Sequence, residues 1–102
     1  MISWYHPLYL SEGAAGTETL IKYRFKYKKY PGDYYYIILP EGQDMPEMIR
    51  AAYLKQPYYE SINFTVIGAA LYKKEVYDLF TRIVQDAYDA TKDVNIRKFL
   101  KL

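Results

Sequence analysis

Apolar and polar residues alternate strictly along residues 19–29, a pattern that predicts a β-strand. The apolar positions are Ile21, Tyr23, Phe25 and Tyr27, and the cations between them are Lys22, Arg24, Lys26 and Lys28. A period of two places these two sets on opposite faces of a strand. A turn is predicted at residues 30–33, because Pro31 presets φ and Gly32 accepts a positive φ. Residues 34–39 are expected to form the partner strand of this hairpin.

Two further segments have the composition of strands. Residues 4–10 are predicted to form the first strand of the chain. Residues 61–70 predict a central strand, since they contain Ile62, Phe64, Val66 and Ile67. Residues 11–16 predict a loop, because two glycines stand among small residues there.

Two segments have helical spacing. Asp44 is predicted to cap a helix over residues 44–56, with Pro46 in its first turn and Pro57 ending it. Residues 72–91 predict a longer helix, whose apolar stripe is Val76, Leu79, Phe80, Ile83, Val84, Ala87 and Tyr88. The tail, residues 94–102, is too short for its pattern to define an element. Asp93, just before it, is expected to cap a final helical turn.

The resulting order β-β-β-α-β-α predicts an α+β fold. A chain of 102 residues has the usual length of one domain, so residues 1–102 are expected to form a single α+β domain. Each helix has one apolar stripe, which places both helices on one face of the sheet. The sequence therefore predicts a two-layer sandwich with a four-stranded mixed sheet and two helices on one face.

The absence of cysteine excludes disulfide bonds, thiolate metal sites and a cysteine nucleophile. It also favours the cytoplasm, since small secreted domains usually carry disulfides. No apolar run approaches the ~18 residues of a membrane span, and the first residues lack the pattern of a signal peptide. A cytoplasmic protein without a membrane partner is therefore expected.

Charge is unevenly distributed along the chain. The net charge is +2, but residues 22–29 contain five cations and no acid, which leaves −3 on the remaining residues. A net charge this small does not by itself indicate a nucleic-acid partner.

Four stretches of the chain resemble a group of small uncharacterised bacterial proteins of about this length. They are Trp4-Tyr5-His6-Pro7-Leu8-Tyr9, Gln56-Pro57-Tyr58-Tyr59, Val66-Ile67-Gly68 leading into Lys74-Glu75, and Ile96-Arg97-Lys98-Phe99-Leu100. The resemblance covers most of the chain and implies a bacterial origin. No activity is known for such proteins, so the resemblance assigns no functional residue.

No set of residues predicts catalysis, a cofactor or a metal site. His6 is the single histidine, and a histidine base needs an orienting carboxylate and a nucleophile that its neighbours do not supply. Residues 13–17 lack the lysine of a phosphate-binding loop. The chain is therefore expected not to be an enzyme and to bind neither a cofactor nor a metal.

Gly68 and Lys73 form a candidate site for a small anionic ligand. Gly68 is expected where a strand passes into a helix, and a small residue there lets an anion approach the helix N-terminus. Lys73 adds positive charge beside it. Small residues at such junctions also serve packing alone, so anion binding is the third hypothesis.

The cations of residues 19–29 form a candidate surface for single-stranded nucleic acid. If Tyr27 lies opposite Tyr36, Lys22, Arg24, Lys26 and Lys28 share a sheet face with Tyr35, Ile37 and Leu39. Faces of this kind hold phosphates with charge and bases by stacking. A register slip of one residue would instead pair the cations with Tyr34, Tyr36 and Ile38.

A protein-interaction surface is predicted at Tyr34, Tyr35, Tyr36 and Ile37. This stretch has large apolar groups on both faces, and two helices can cover only one of them. Tyrosine suits interfaces, and 14 tyrosines are more than one small core needs. The leading hypothesis is a non-enzymatic interaction module, either a homodimer or a module that docks on another protein. Nucleic-acid binding is the second hypothesis.

Overall fold

A computed structural model describes residues 1–30 and 34–102 of the chain. Its strands are β1 (Ile2–Leu10), β2 (Tyr35–Pro40), β3 (Glu47–Arg50) and β4 (Phe64–Ala70). Its α-helices are α1 (Glu18–Lys26), α2 (Pro57–Ser61), α3 (Lys73–Thr91) and α4 (Ile96–Leu100), and short 3-10 segments cover Glu12–Ala14 and Ala51–Lys55. The predicted α+β class is confirmed.

The four strands form one mixed sheet in the order β1-β4-β2-β3. β1 is parallel to β4, whereas β2 is antiparallel to both β4 and β3. The sheet thus has the number of strands and the mixed character that the sequence predicts. β1 and β3 form its two edges, and the strands predicted near residues 4–10, 34–39 and 61–70 are all present.

The prediction of a strand at residues 19–29 is wrong, because this segment forms helix α1. Ile21 and Phe25 are four residues apart, so they share one side of a helix and are buried together. Glu18 lies in the first turn, and Arg24 and Lys26 lie in the last, where they complement the helix dipole. The turn predicted at residues 30–33 falls largely outside the described residues.

The prediction of a helix over residues 44–56 is also wrong. Glu47–Arg50 is strand β3, whose pairing with β2 supplies a tertiary ladder in place of local helical hydrogen bonds. The apolar spacing continues only in the 3-10 segment that follows, where Ala51 and Leu54 are buried. Pro57 begins helix α2 instead of ending a helix, since its fixed φ suits the first helical position.

Helix α3 confirms the helix predicted at residues 72–91, and a short helix follows it. Val76, Leu79, Ile83 and Ala87 form its buried face, whereas Phe80 and Val84 are half-buried. In α4 the capping side chain belongs to Asn95, which accepts from the Lys98 N–H at 2.9 Å, and not to Asp93.

Two hydrophobic clusters lie on the two faces of the sheet. Ile37 and Leu39 of β2 pack with α3 and α4 on one face. Tyr36 and Ile38 pack with α1 and with the 3-10 segment Ala51–Lys55 on the other face. Both apolar faces of β2 are therefore covered within this one chain.

Candidate functional site

A groove lies between the free edge of β3 and the first turns of α3. Its volume is about 360 Å³, and its walls are Tyr35, Met48, Arg50, Tyr53, Lys73, Val76 and Tyr77. The exposed fractions of Met48, Tyr53 and Tyr77 are 37%, 50% and 52%, which is large for such apolar side chains. We call this feature the β3 groove.

The backbone of β3 presents hydrogen-bonding groups to this groove. The Ala51 N–H donates to the Tyr34 carbonyl at 2.9 Å, so Ala51 faces β2. Successive residues of a strand point their backbone groups alternately to the two sides. Ile49 therefore faces β2, whereas the N–H and C=O groups of Met48 and the N–H of Arg50 point away from it. The Arg50 carbonyl begins the 3-10 segment Ala51–Lys55. Within residues 1–30 and 34–102, no further strand pairs with β3 on that side.

The side chains of Met48 and Arg50 stand on the face of the sheet that α3 covers. Met48 lies opposite Ile37, and Arg50 lies opposite Tyr35. Ile37 and Tyr35 both pack in the cluster that contains α3. An extended chain along the β3 edge would therefore meet backbone groups, the two side chains and the α3 wall together.

The β3 groove is electropositive. Arg50 and Lys73 are its charged residues, both are exposed, and no acidic residue lines it. Neither cation forms an ion pair with a described residue. The ion pair present among the described residues lies outside the groove and joins Lys28 to Glu60 at 3.8 Å.

The predicted interaction surface at Tyr34, Tyr35, Tyr36 and Ile37 is only partly accessible. Tyr36 and Ile37 are fully buried, because each fills one of the two clusters on β2. Tyr34 and Tyr35 are half-buried, and Tyr35 lines the β3 groove. Sequence reasoning missed Met48, Arg50, Tyr53 and Tyr77, because Pro46 is compatible with the first turn of a helix and residues 47–50 have no alternating pattern of their own.

The four predicted nucleic-acid cations do not share one face. Lys22 lies over the Trp4 ring at 5.5 Å, and Lys26 lies over the Tyr27 ring at 5.6 Å. Arg24 is half-buried on another side of α1, and Lys28 follows the helix with a positive φ of 54°. The helical period separates residues that the predicted strand would have aligned.

The predicted anion site at Gly68 has no room for a ligand. Gly68 is buried in β4, and a Cβ placed on it would lie 2.9 Å from the Tyr9 carbonyl oxygen and 3.2 Å from Leu79 Cδ2. The glycine therefore permits close packing of β1 and α3 against β4. Lys73 belongs instead to the β3 groove.

Two side-chain hydrogen bonds join the first part of the chain to α3. The Tyr9 hydroxyl donates to Asp86 Oδ2 at 3.0 Å, and the Ser11 hydroxyl donates to Glu75 Oε1 at 2.7 Å. Burial and the hydrogen bond to Asp86 raise the pKa of Tyr9 to about 12. His6 is exposed, and its side chain makes no hydrogen bond within the described part of the chain. No three histidine or carboxylate side chains there gather as metal ligands.

Comparison with known protein families, curated proteins and solved structures finds no match. The resemblance to small bacterial proteins therefore stays a prediction. No helix among residues 1–30 and 34–102 combines the length and apolar composition that crossing a membrane requires.

Proposed function

We propose that this protein is a non-enzymatic protein-interaction module that holds an extended segment of a partner protein along β3. The observation that carries the proposal is the outward direction of both Met48 backbone groups and of the Arg50 N–H, beside a groove lined by tyrosines. An unpaired strand edge is a template for another strand. Extended peptides commonly bind in this way, as an added strand of a sheet.

The β3 groove supports both affinity and selectivity for such a segment. Main-chain hydrogen bonds to Met48 and Arg50 would hold any sequence, and alternate side chains of the segment would enter the groove. Tyrosine, methionine and arginine are enriched in the cores of protein interfaces, and all three types line this groove. These features favour a protein ligand.

Single-stranded nucleic acid is supported less well. Base stacking needs free ring faces, whereas Lys22 covers Trp4, Lys26 covers Tyr27, and the Tyr23 and Tyr27 rings pack on each other at 4.8 Å. The hypothesis of a homodimer depends on an uncovered apolar face of β2. Since helices of the same chain cover both faces, a second copy would have to use another surface, such as the β3 edge.

A phage-displayed library of random short peptides tests the proposal, with three forms of the protein as bait. Met48→Ala keeps the outward N–H of residue 48, whereas Met48→Pro removes it. We expect peptides selected on the parent protein to bind Met48→Pro at least about tenfold more weakly than Met48→Ala. That ratio corresponds to about 1.4 kcal/mol, the scale of one lost hydrogen bond.

Two results would contradict the proposal. One is a library that yields no peptide binding the parent protein above an unrelated control, together with the absence of a dimer that Met48→Pro dissociates. The other is a set of selected peptides that bind Met48→Pro and Met48→Ala equally. Circular dichroism of each variant ensures that a loss of binding is not a loss of fold.

A further inference from the structure

We infer that the β3 groove selects acidic segments. In the bound segment, an apolar side chain would lie beside Met48 and a carboxylate beside Arg50. These two residues of the segment would be two positions apart. This inference rests on the proposed function and adds the chemistry of the partner. It follows from the geometry of β3 and from the charge of the groove.

The spacing follows from the pleat of the sheet. Met48 and Arg50 are two residues apart in β3 and stand on the same face. In an added strand, every second residue also stands on that face, directly beside the residues of β3. Two groove-facing side chains of the partner therefore meet Met48 and Arg50 at matching distances, whichever direction the partner strand runs.

The two positions differ in chemistry. Met48 is bordered by Ile37, its cross-strand neighbour, and by the apolar wall of α3, so an apolar side chain fits beside it. Arg50 can hold a carboxylate through two parallel hydrogen bonds. Lys73 adds a second cation to the same groove, and no acidic residue lines it to compete for either cation.

The same charges disfavour a second copy of this chain as the occupant. A two-fold axis that pairs β3 with its symmetry mate runs perpendicular to the sheet, so each face continues into the same face of the mate. Both copies of Arg50 and of Lys73 would then crowd onto one face without a groove carboxylate between them. Like charges placed opposite each other across strands are destabilising.

Peptide selection with charge-reversed proteins tests the inference. The parent protein should enrich Asp or Glu two positions from an apolar residue, whereas Arg50→Glu should enrich Lys or Arg at that position. Lys26→Glu changes the net charge by the same amount on the opposite face of the sheet, and it should keep the acidic preference. Replacing the selected Asp or Glu by its amide should weaken binding to the parent at least about tenfold, or about 1.4 kcal/mol.

The outcomes separate this inference from the proposed function. If selected peptides lack the acidic position but still lose affinity in Met48→Pro, the inference fails and the interaction module stands. The inference also fails, and the interaction module stands, if Lys26→Glu reverses the charge preference as Arg50→Glu does. In that case the net charge of the protein, and not Arg50, would determine which peptides are selected. If no peptide binds and light scattering finds a dimer that Met48→Pro dissociates, the occupant is a second copy and the acidic partner is excluded. If no peptide binds and no dimer forms, both proposals fail.

Discussion

Tyr35 lies directly opposite Arg50 on the antiparallel strands β2 and β3, and both side chains line the groove beside α3. The hydrogen bond from Ala51 to Tyr34 identifies Ala51 and Tyr34 as a hydrogen-bonded pair of the ladder, so the N–H of the next residue, Arg50, points away from β2. The Arg50 carbonyl begins the 3-10 segment Ala51–Lys55. Strand β3 thus contains two kinds of residue. Ile49 completes the ladder with β2, whereas both backbone groups of Met48 and the N–H of Arg50 point away from β2.

Proline substitutions at neighbouring positions test this alternation. Proline is tolerated on edge strands where the N–H points outward, so Met48→Pro should match the stability of Met48→Ala within about 0.5 kcal/mol. Ile49→Pro should be less stable than Ile49→Ala by about 1 kcal/mol or more, because it leaves the Tyr36 carbonyl without its ladder donor. Urea denaturation of the four variants measures both differences. Equal penalties at the two positions would show that the backbone directions are assigned wrongly.

The core beneath the groove depends on α3, and two substitutions in that helix should differ sharply. Ile83 is fully buried, whereas Tyr88, one of the residues predicted to lie in the apolar stripe, is 48% exposed. Ile83→Ala should lower the free energy of unfolding by about 2–5 kcal/mol, the range for emptying a buried aliphatic site. Tyr88→Ala should cost less than about 1 kcal/mol. Chemical denaturation that ranked the two variants the other way would contradict the buried face of α3.

The two helices α3 and α1 show which parts of the fold the sequence can predict. The stripe of α3 runs for five turns, and no alternation of period two fits it. In α1 the apolar residues Ile21, Phe25 and Tyr27 are spaced by two or four, and a spacing of four fits a strand as well as a helix. The charges at the two ends of α1 were the signal that favoured a helix.

The candidate site could not be predicted, because it belongs to a strand that is defined by its partner. Residues 47–50 have no strand pattern of their own, and they become β3 only by pairing with β2. Tyr35 was predicted to lie at an interface, and it does line the β3 groove. The sequence places Tyr36 and Ile37 on the same surface, but both are buried. The second apolar face of β2 is covered by α1, and the alternation of residues 19–29 predicts a strand where α1 forms.

Gly68 provides a test of close packing between β1, β4 and α3. In Gly68→Ala the new Cβ would lie 2.9 Å from the Tyr9 carbonyl oxygen, a backbone atom that cannot rotate away. We expect a loss of about 1–3 kcal/mol of unfolding free energy, the usual cost of overpacking. Gly13→Ala is the control, since its Cβ would meet Glu75 Oε1 at 2.8 Å. This oxygen accepts from the Ser11 hydroxyl but, unlike a backbone carbonyl, can shift by rotation of its side chain. Gly13→Ala should therefore cost less, and the reverse order in urea denaturation would contradict this packing.

Tyr9 should make the stability of the protein depend on pH in the alkaline range. Burial, and then the hydrogen bond to Asp86, raise its pKa from 10.0 to about 12. Between these two values the unfolded chain binds fewer protons than the folded chain, so unfolding becomes more favourable as pH rises. The contribution of Tyr9 is therefore complete below pH 10 and is lost as pH approaches about 12.

Tyr9→Phe removes the hydroxyl and with it this contribution. The variant should be less stable than the parent below pH 10, by about 1–3 kcal/mol for a hydrogen bond to a charged group. Above that pH the two stabilities should converge, because the parent loses what the variant never had. Urea denaturation across a pH series measures the difference, with Tyr23→Phe as the control, since the Tyr23 ring is 56% exposed. A difference that stayed constant up to pH 12 would show that the hydroxyl of Tyr9 does not titrate between the two values.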